Sequence, residues 1–148
     1  MKNIVIFYPS FERGGATKVL INVIKFFSKK KRKVFLISNK KEQSLKDIKN
    51  LKIVVSKSFN FKFINNRISS GISSIITLKK LINNLDKKET IILSMQSNFF
   101  PAFFSFFLNW KVFTRVSEDP CGATKFADNK FFAYLILITK FLTYNFSY

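Results

Sequence analysis

Few side chains in this chain are equipped for chemistry, and they fall in four short stretches. Gly14-Gly15 follows the apolar run Ile4-Val5-Ile6-Phe7-Tyr8 and opens an amphipathic segment. Ser38-Asn39 ends a second apolar run, and Gln96-Ser97-Asn98 ends a third. Arg115 and Ser117 come at the end of a fourth, followed by Glu118-Asp119, the only adjacent carboxylates in the chain. A Gly pair lets the backbone come close to a ligand, because no Cβ stands in the way. The N–H groups that open the following helix favour a phosphate or diphosphate in the same space. Arg115 offers a planar fork for a phosphate or carboxylate. Either Glu118 or Asp119 is placed to act as a general base toward a substrate hydroxyl. Each feature also has a plain structural reading. The Gly pair makes a strand-to-helix turn, and Arg115 with Glu118 or Asp119 makes an ion pair at a sheet rim, which is worth little.

What is missing narrows the chemistry further. The chain has no histidine and a single cysteine, Cys121. A His-ligated metal, a Ser-His-Asp triad, a Cys-His pair and a Cys-rich zinc site are all excluded within it, and no metal is expected. Gly14-Gly15 leads into Ala16-Thr17-Lys18, which is neither G-x-G-x-x-G nor G-K-[ST]. An NAD site also wants an acid after the second strand, where this chain has Ser38-Asn39-Lys40-Lys41. No cofactor is expected.

Those residues need a scaffold, and hydrophobic periodicity supplies one. Ile4–Tyr8, Val34–Ser38, Lys52–Val55, Ile91–Met95 and Lys111–Val116 read as strands, mostly the near-continuous apolar runs of a buried parallel sheet. Between them, Val19, Leu20, Val23, Ile24 and Phe27 share one helical face. A second helix is read from Ile72 to Leu85, a third after Asn98 with Pro101 in its first turn, and a last from Phe131 to Tyr144. The region from Asn39 to Asn50 reads as a polar connection with one helical turn around Leu45 and Ile48. Phe59, Phe61 and Phe63 alternate with polar residues. They suit either core anchoring or stacking on single-stranded bases. The expected fold is α/β: an open parallel Rossmann-like sheet with helices on both faces. All four polar stretches then meet at the carboxyl edge of that sheet, where such folds bind ligands.

The chain has 148 residues, 47% of them hydrophobic, enough for one domain with a real core. Lys and Arg number 26 against 8 Asp and Glu, for a formal net charge of +18. That excess suits an anionic partner, such as a phosphorylated substrate or an anionic membrane face. It also suits solvated faces enriched in Lys by an AT-rich coding bias. No nucleic-acid-binding module is visible, so no specific nucleic-acid partner is expected. The N-terminal apolar run is strand-length and lacks the order of a secretory signal, which with the free thiol points to the cytoplasm. Phe99–Trp110 and Phe131–Leu142 are both too short to span a bilayer.

The ordered features resemble the N-terminal part of family 4 glycosyltransferases. Those proteins begin with a strand, a loop ending in Gly-Gly-Ala or Gly-Gly-Val, and a helix with an apolar V-L-x-x-V/L face. Here that reads Gly14-Gly15-Ala16-Thr17-Lys18-Val19-Leu20-Ile21-Asn22-Val23. The strand Ile91–Met95 with Gln96-Ser97-Asn98, and Arg115-Val116-Ser117-Glu118-Asp119-Pro120, are similar to the family's later strand ends. The resemblance implies the first of two Rossmann-like domains facing across a cleft, a B-type glycosyltransferase fold. The first domain mostly holds the acceptor and the second holds the nucleotide sugar. It further implies a cell-envelope glycan or lipid-linked acceptor, with Gly14, Gly15, Asn98, Arg115 and Ser117 binding substrate or phosphate and Glu118 or Asp119 catalytic. The chain departs from the family in two ways. No pair of glutamates has the donor-domain spacing, and the loop at Ser117-Glu118-Asp119 lacks the histidine many members carry there. The expectation is therefore a partial N-terminal domain over residues 1–148, incomplete at its C-terminal side. It would be inactive alone and served by a separate donor-domain polypeptide, or else be a non-catalytic binding module or remnant of that fold.

Overall fold

The computed structural model describes residues 2–11, 14–57, 66–115 and 130–146. Five strands, β1 (Asn3–Phe7), β2 (Lys33–Ser38), β3 (Leu51–Val55), β4 (Thr90–Ser94) and β5 (Val112–Thr114), form one sheet in the order β3-β2-β1-β4-β5. Every pairing is parallel. Helices α1 (Gly15–Lys29), α2 (Asn66–Ile82), α3 (Phe99–Leu108) and α4 (Lys130–Phe146) complete the fold. This is the expected α/β, Rossmann-like architecture. The polar connection after β2 does hold one tight turn, Gln43–Leu45, pinned by the buried Leu45.

β1 is the centre of the sheet and all five of its residues are buried. Alternation sends Ile4 and Ile6 to one face, and Val5 and Phe7 to the other. The first face packs on Leu20 and Ile24 of α1, with Val34 and Leu36 of β2. The second packs on Leu78 and Ile82 of α2, with Ile92, Val112 and Trp110, and with Phe100 and Phe104 of α3 against them. Helices therefore cover both faces, and the strands between them need apolar residues on both sides, which explains their unbroken runs. Inside the α1 stripe, Leu20 and Ile24 carry the burial, while Val19 is 37% exposed.

Several boundaries shift by one to a few residues from the periodicity, most of all the start of α2. Among the described residues β5 covers Val112–Thr114, which meet Ile92, Leu93 and Ser94 of β4, while Val116 lies outside those residues. α2 begins at Asn66, well before Ile72, because its early buried residues include Ser69, Ser73 and Ser74. Their hydroxyls are turned inward and hydrogen-bonded, so an apolar count does not register that face.

α2 and α3 touch where α2 carries Gly71. A Cβ built there would lie 2.5 Å from Cε2 of Phe100, so only glycine fits beneath that ring as it stands. No described helix is long and apolar enough to cross a membrane.

Candidate functional site at the carboxyl edge

The strand order reverses between β1 and β4. α1 leaves β1 on one face and the β3–α2–β4 crossover returns on the other, as the two core clusters show. Helices that diverge this way leave a crevice beyond the carboxyl ends of the two middle strands. The ends of β1, β2, β4 and β5 all open there, and with them the starts of α1 and α3.

A seam of hydrogen bonds fixes this edge from strand to strand. The Ser56 amide donates to the Ser38 carbonyl at 2.8 Å, and the Asn39 amide to the Pro9 carbonyl at 3.1 Å. The Ser10 amide donates to Oε1 of Gln96 at 2.9 Å, which ties the exit of β1 to the exit of β4. Asn98 makes the last stitch. Its Oδ1 accepts from the Ser94 hydroxyl at 2.8 Å, and its Nδ2 donates to the Arg115 carbonyl at 2.6 Å. Below the seam, the Ser74 hydroxyl donates to Ser56 Oγ at 3.0 Å, and the Ser70 hydroxyl donates to the Pro9 carbonyl at 3.0 Å. α2 is thereby fastened under the exit loop of β1.

The glycine pair divides into two roles. Gly14 sits at φ 158° and ψ −174°, a conformation essentially confined to glycine. It shapes the turn into α1. Gly15 is the first helical residue, and a Cβ added to it would meet no atom within 4 Å. Gly14, Gly15 and Ala16 are exposed, no side chain among the described residues caps the helix, and its first turn carries no acid. The opening amides therefore lie in an uncovered, electropositive place. A bond of 3.0 Å between the Tyr8 and Thr17 hydroxyls holds that first turn over the end of β1.

Arg115 stands at the other side of the edge. Its amide donates to the Ser94 carbonyl at 2.8 Å, extending the β4–β5 pairing by one bond. The residue is half-buried, and its Nη1 is enclosed without a hydrogen-bond partner among the described residues. Enclosing a guanidinium nitrogen in this way is unfavourable unless an acceptor comes to it. The exit turn of β4 adds Ser97 at φ 53°, a left-handed position where serine is strained.

Of the residues the sequence singles out, Gly14, Gly15, Asn98 and Arg115 are thus on one edge. Ser117, Glu118 and Asp119 lie outside the described residues, as do Phe59, Phe61 and Phe63. Asn98 has its amide engaged in joining β4 to β5. Gln96, read from sequence only as a polar strand end, bridges the two strands that flank the crevice. The serines of α2 were not singled out by the sequence reading; their clustering as Ser69-Ser70 and Ser73-Ser74 was the available signal. A groove of about 390 Å³ lies elsewhere, along edge strand β3 and α2, between Lys52, Lys57 and Lys80. Among the described residues no group of His, Cys, Asp or Glu could hold a metal ion. No protein-family model matches the chain, and no curated protein matches it in sequence.

Proposed function

We propose that this chain is the acceptor-side, N-terminal part of a glycosyltransferase that moves a sugar from a nucleotide sugar to a cell-envelope glycan or lipid-linked acceptor. In this reading the nucleotide sugar is held by a second domain that faces this one across a cleft. The observation that carries the reading is the enclosed, unpartnered Nη1 of Arg115, on the same sheet edge as the uncapped start of α1 at Gly15. Both favour an anionic oxygen-rich group, and neither is satisfied by the described residues. In the reaction, the acceptor hydroxyl oxygen forms a bond to the anomeric carbon and its proton passes to the carboxylate of Glu118 or Asp119. The bond from that carbon to the diphosphate oxygen breaks, and the nucleoside diphosphate leaves with the electron pair. Arg115 and the α1 amides orient the phosphate or acceptor group.

The test is calorimetric titration of the chain with UDP, GDP and a short-chain lipid diphosphate sugar. Binding of at least one, lost in Gly15→Val and roughly tenfold weaker in Arg115→Lys, supports the site. Absence of binding to all three overturns it. Transfer that appears only when a donor-domain polypeptide is added supports the enzyme. Binding with no transfer under any pairing supports a binding module instead.

A further inference from the structure

A helix on the surface of a water-soluble domain carries polar residues on its outer side. α3 does not. Its sequence, FFPAFFSFFL, contains no charged residue. Pro101, Ala102 and Ser105 are buried, yet Phe103, Phe106 and Phe107 are 44%, 61% and 66% exposed. Phe103 and Phe107 lie with ring centroids 4.9 Å apart, so the rings form one apolar ridge. α4 packs against α3 and repeats the pattern. Tyr134, Phe141 and Tyr144 are 69%, 68% and 43% exposed and fall at helical spacing. Large exposed apolar patches of this kind mark interaction sites.

The surroundings of the ridge say what covers it. Nζ of Lys87 donates to the Leu108 carbonyl at 3.3 Å, which sets an ammonium at the C-terminal end of α3. Lys88 and Lys111 are exposed at the starts of β4 and β5, the same edge of the sheet. The acids nearby are already engaged. Asp86 accepts from the Lys88 amide at 2.8 Å, and Glu89 pairs with Lys2 at 2.8 Å. Two copies of this chain meeting through the ridge would bring their lysines together, each copy carrying a formal charge of +18. An anionic bilayer complements the same lysines, while the Phe and Tyr rings suit its interface.

We infer that the joined faces of α3 and α4 form a docking surface for an anionic phospholipid bilayer, on which the chain lies without spanning. The rings enter the headgroup boundary, and Lys87, Lys88 and Lys111 meet the lipid phosphates. This inference does not rest on the transferase reading, and its test contains no nucleotide sugar.

The experiment is co-sedimentation of the full chain with phosphatidylcholine vesicles, with and without phosphatidylglycerol. Circular dichroism and thermal midpoints check each variant. Binding is expected to need phosphatidylglycerol and to weaken at about 0.5 M salt. Phe106→Ser with Phe107→Ser weakens it by roughly tenfold or more at an unchanged or raised midpoint. Phe141→Ser, on the other helix, weakens it in the same direction. Lys87→Gln and Lys111→Gln each weaken it by about fivefold. Lys29→Gln with Lys30→Gln, at the end of α1, has the smaller effect. No binding to phosphatidylglycerol vesicles overturns the inference, as does binding that every Phe variant retains. Sedimentation equilibrium supplies a further outcome: a parent dimer that the Phe variants convert to monomers, without vesicle binding, assigns the ridge to a second copy and overturns it too.

Discussion

Asn98 holds Arg115 by the backbone. Nδ2 of Asn98 donates to the Arg115 carbonyl at 2.6 Å, while its Oδ1 accepts from the Ser94 hydroxyl at 2.8 Å. One amide thus joins the end of β4 to the residue that follows β5 and carries the enclosed guanidinium nitrogen. Asn98→Ala leaves the carbonyl and the hydroxyl without this partner and should cost about 1–2 kcal/mol, read from denaturant melts. Asn98→Leu should do the same, since shape does not replace the two bonds. If anion binding at Arg115 depends on this positioning, both variants also weaken it at temperatures where the chain remains folded.

The neighbouring glycines should respond in opposite ways. Gly14→Ala forces a side chain onto φ 158° and should cost about 1–3 kcal/mol. Gly15→Ala enters open space at the first helical position and should be neutral or stabilising by up to about 1 kcal/mol. Thermal midpoints of the two variants measured side by side check this. A large loss at Gly15 would make the whole pair a structural turn.

Gly71 and Phe100 should be energetically coupled. The added Cβ of Gly71→Ala lies 2.9 Å or less from two ring atoms, so the ring must move. Overpacking costs about 1–3 kcal/mol, against which alanine recovers roughly 1 kcal/mol of helix propensity. Net destabilisation is expected. Phe100→Leu should relieve it, giving a double-mutant cycle that departs from additivity by about 0.5 kcal/mol or more.

The Lys2–Glu89 pair predicts a small effect at alkaline pH. The hydrogen bond and charge of Glu89 raise the Lys2 ammonium above its ordinary 10.5. A raised folded-state value means the contribution is complete below the unfolded value and is lost as pH rises through the folded one. The stability difference between the parent and Lys2→Gln should therefore be constant at neutral pH and vanish in strong alkali. Because the group is fully exposed, added salt should shrink it at every pH.

Local pattern was enough to read the elements. The apolar runs that open at Ile4 and Val34 read as strands wherever they sit, because residues buried on both sides must be apolar without interruption. The stripe of Leu20 and Ile24 makes α1, and Gly14 with Gly15 marks its start. The places where the reading fell short have local causes too. The early turns of α2 hide behind inward serines.

The sequence by itself therefore determined the class of fold, the order of its strands and helices, and the lack of histidine. Only the tertiary structure decided which distant residues meet. Ser10 and Gln96 are 86 positions apart, and nothing local announces that the Gln96 side chain closes the loop after β1. The pairing of β1 with β4 is equally long-range, and it creates the crevice. The glycine pair read as one motif until packing gave Gly14 the turn and Gly15 the open space. α3 is the sharpest case: a segment apolar on every side has no period to say which face is inward. Burial of Pro101, Ala102 and Ser105 left Phe103, Phe106 and Phe107 outside, because exposure depends on which surfaces remain after the sheet and its helices have packed.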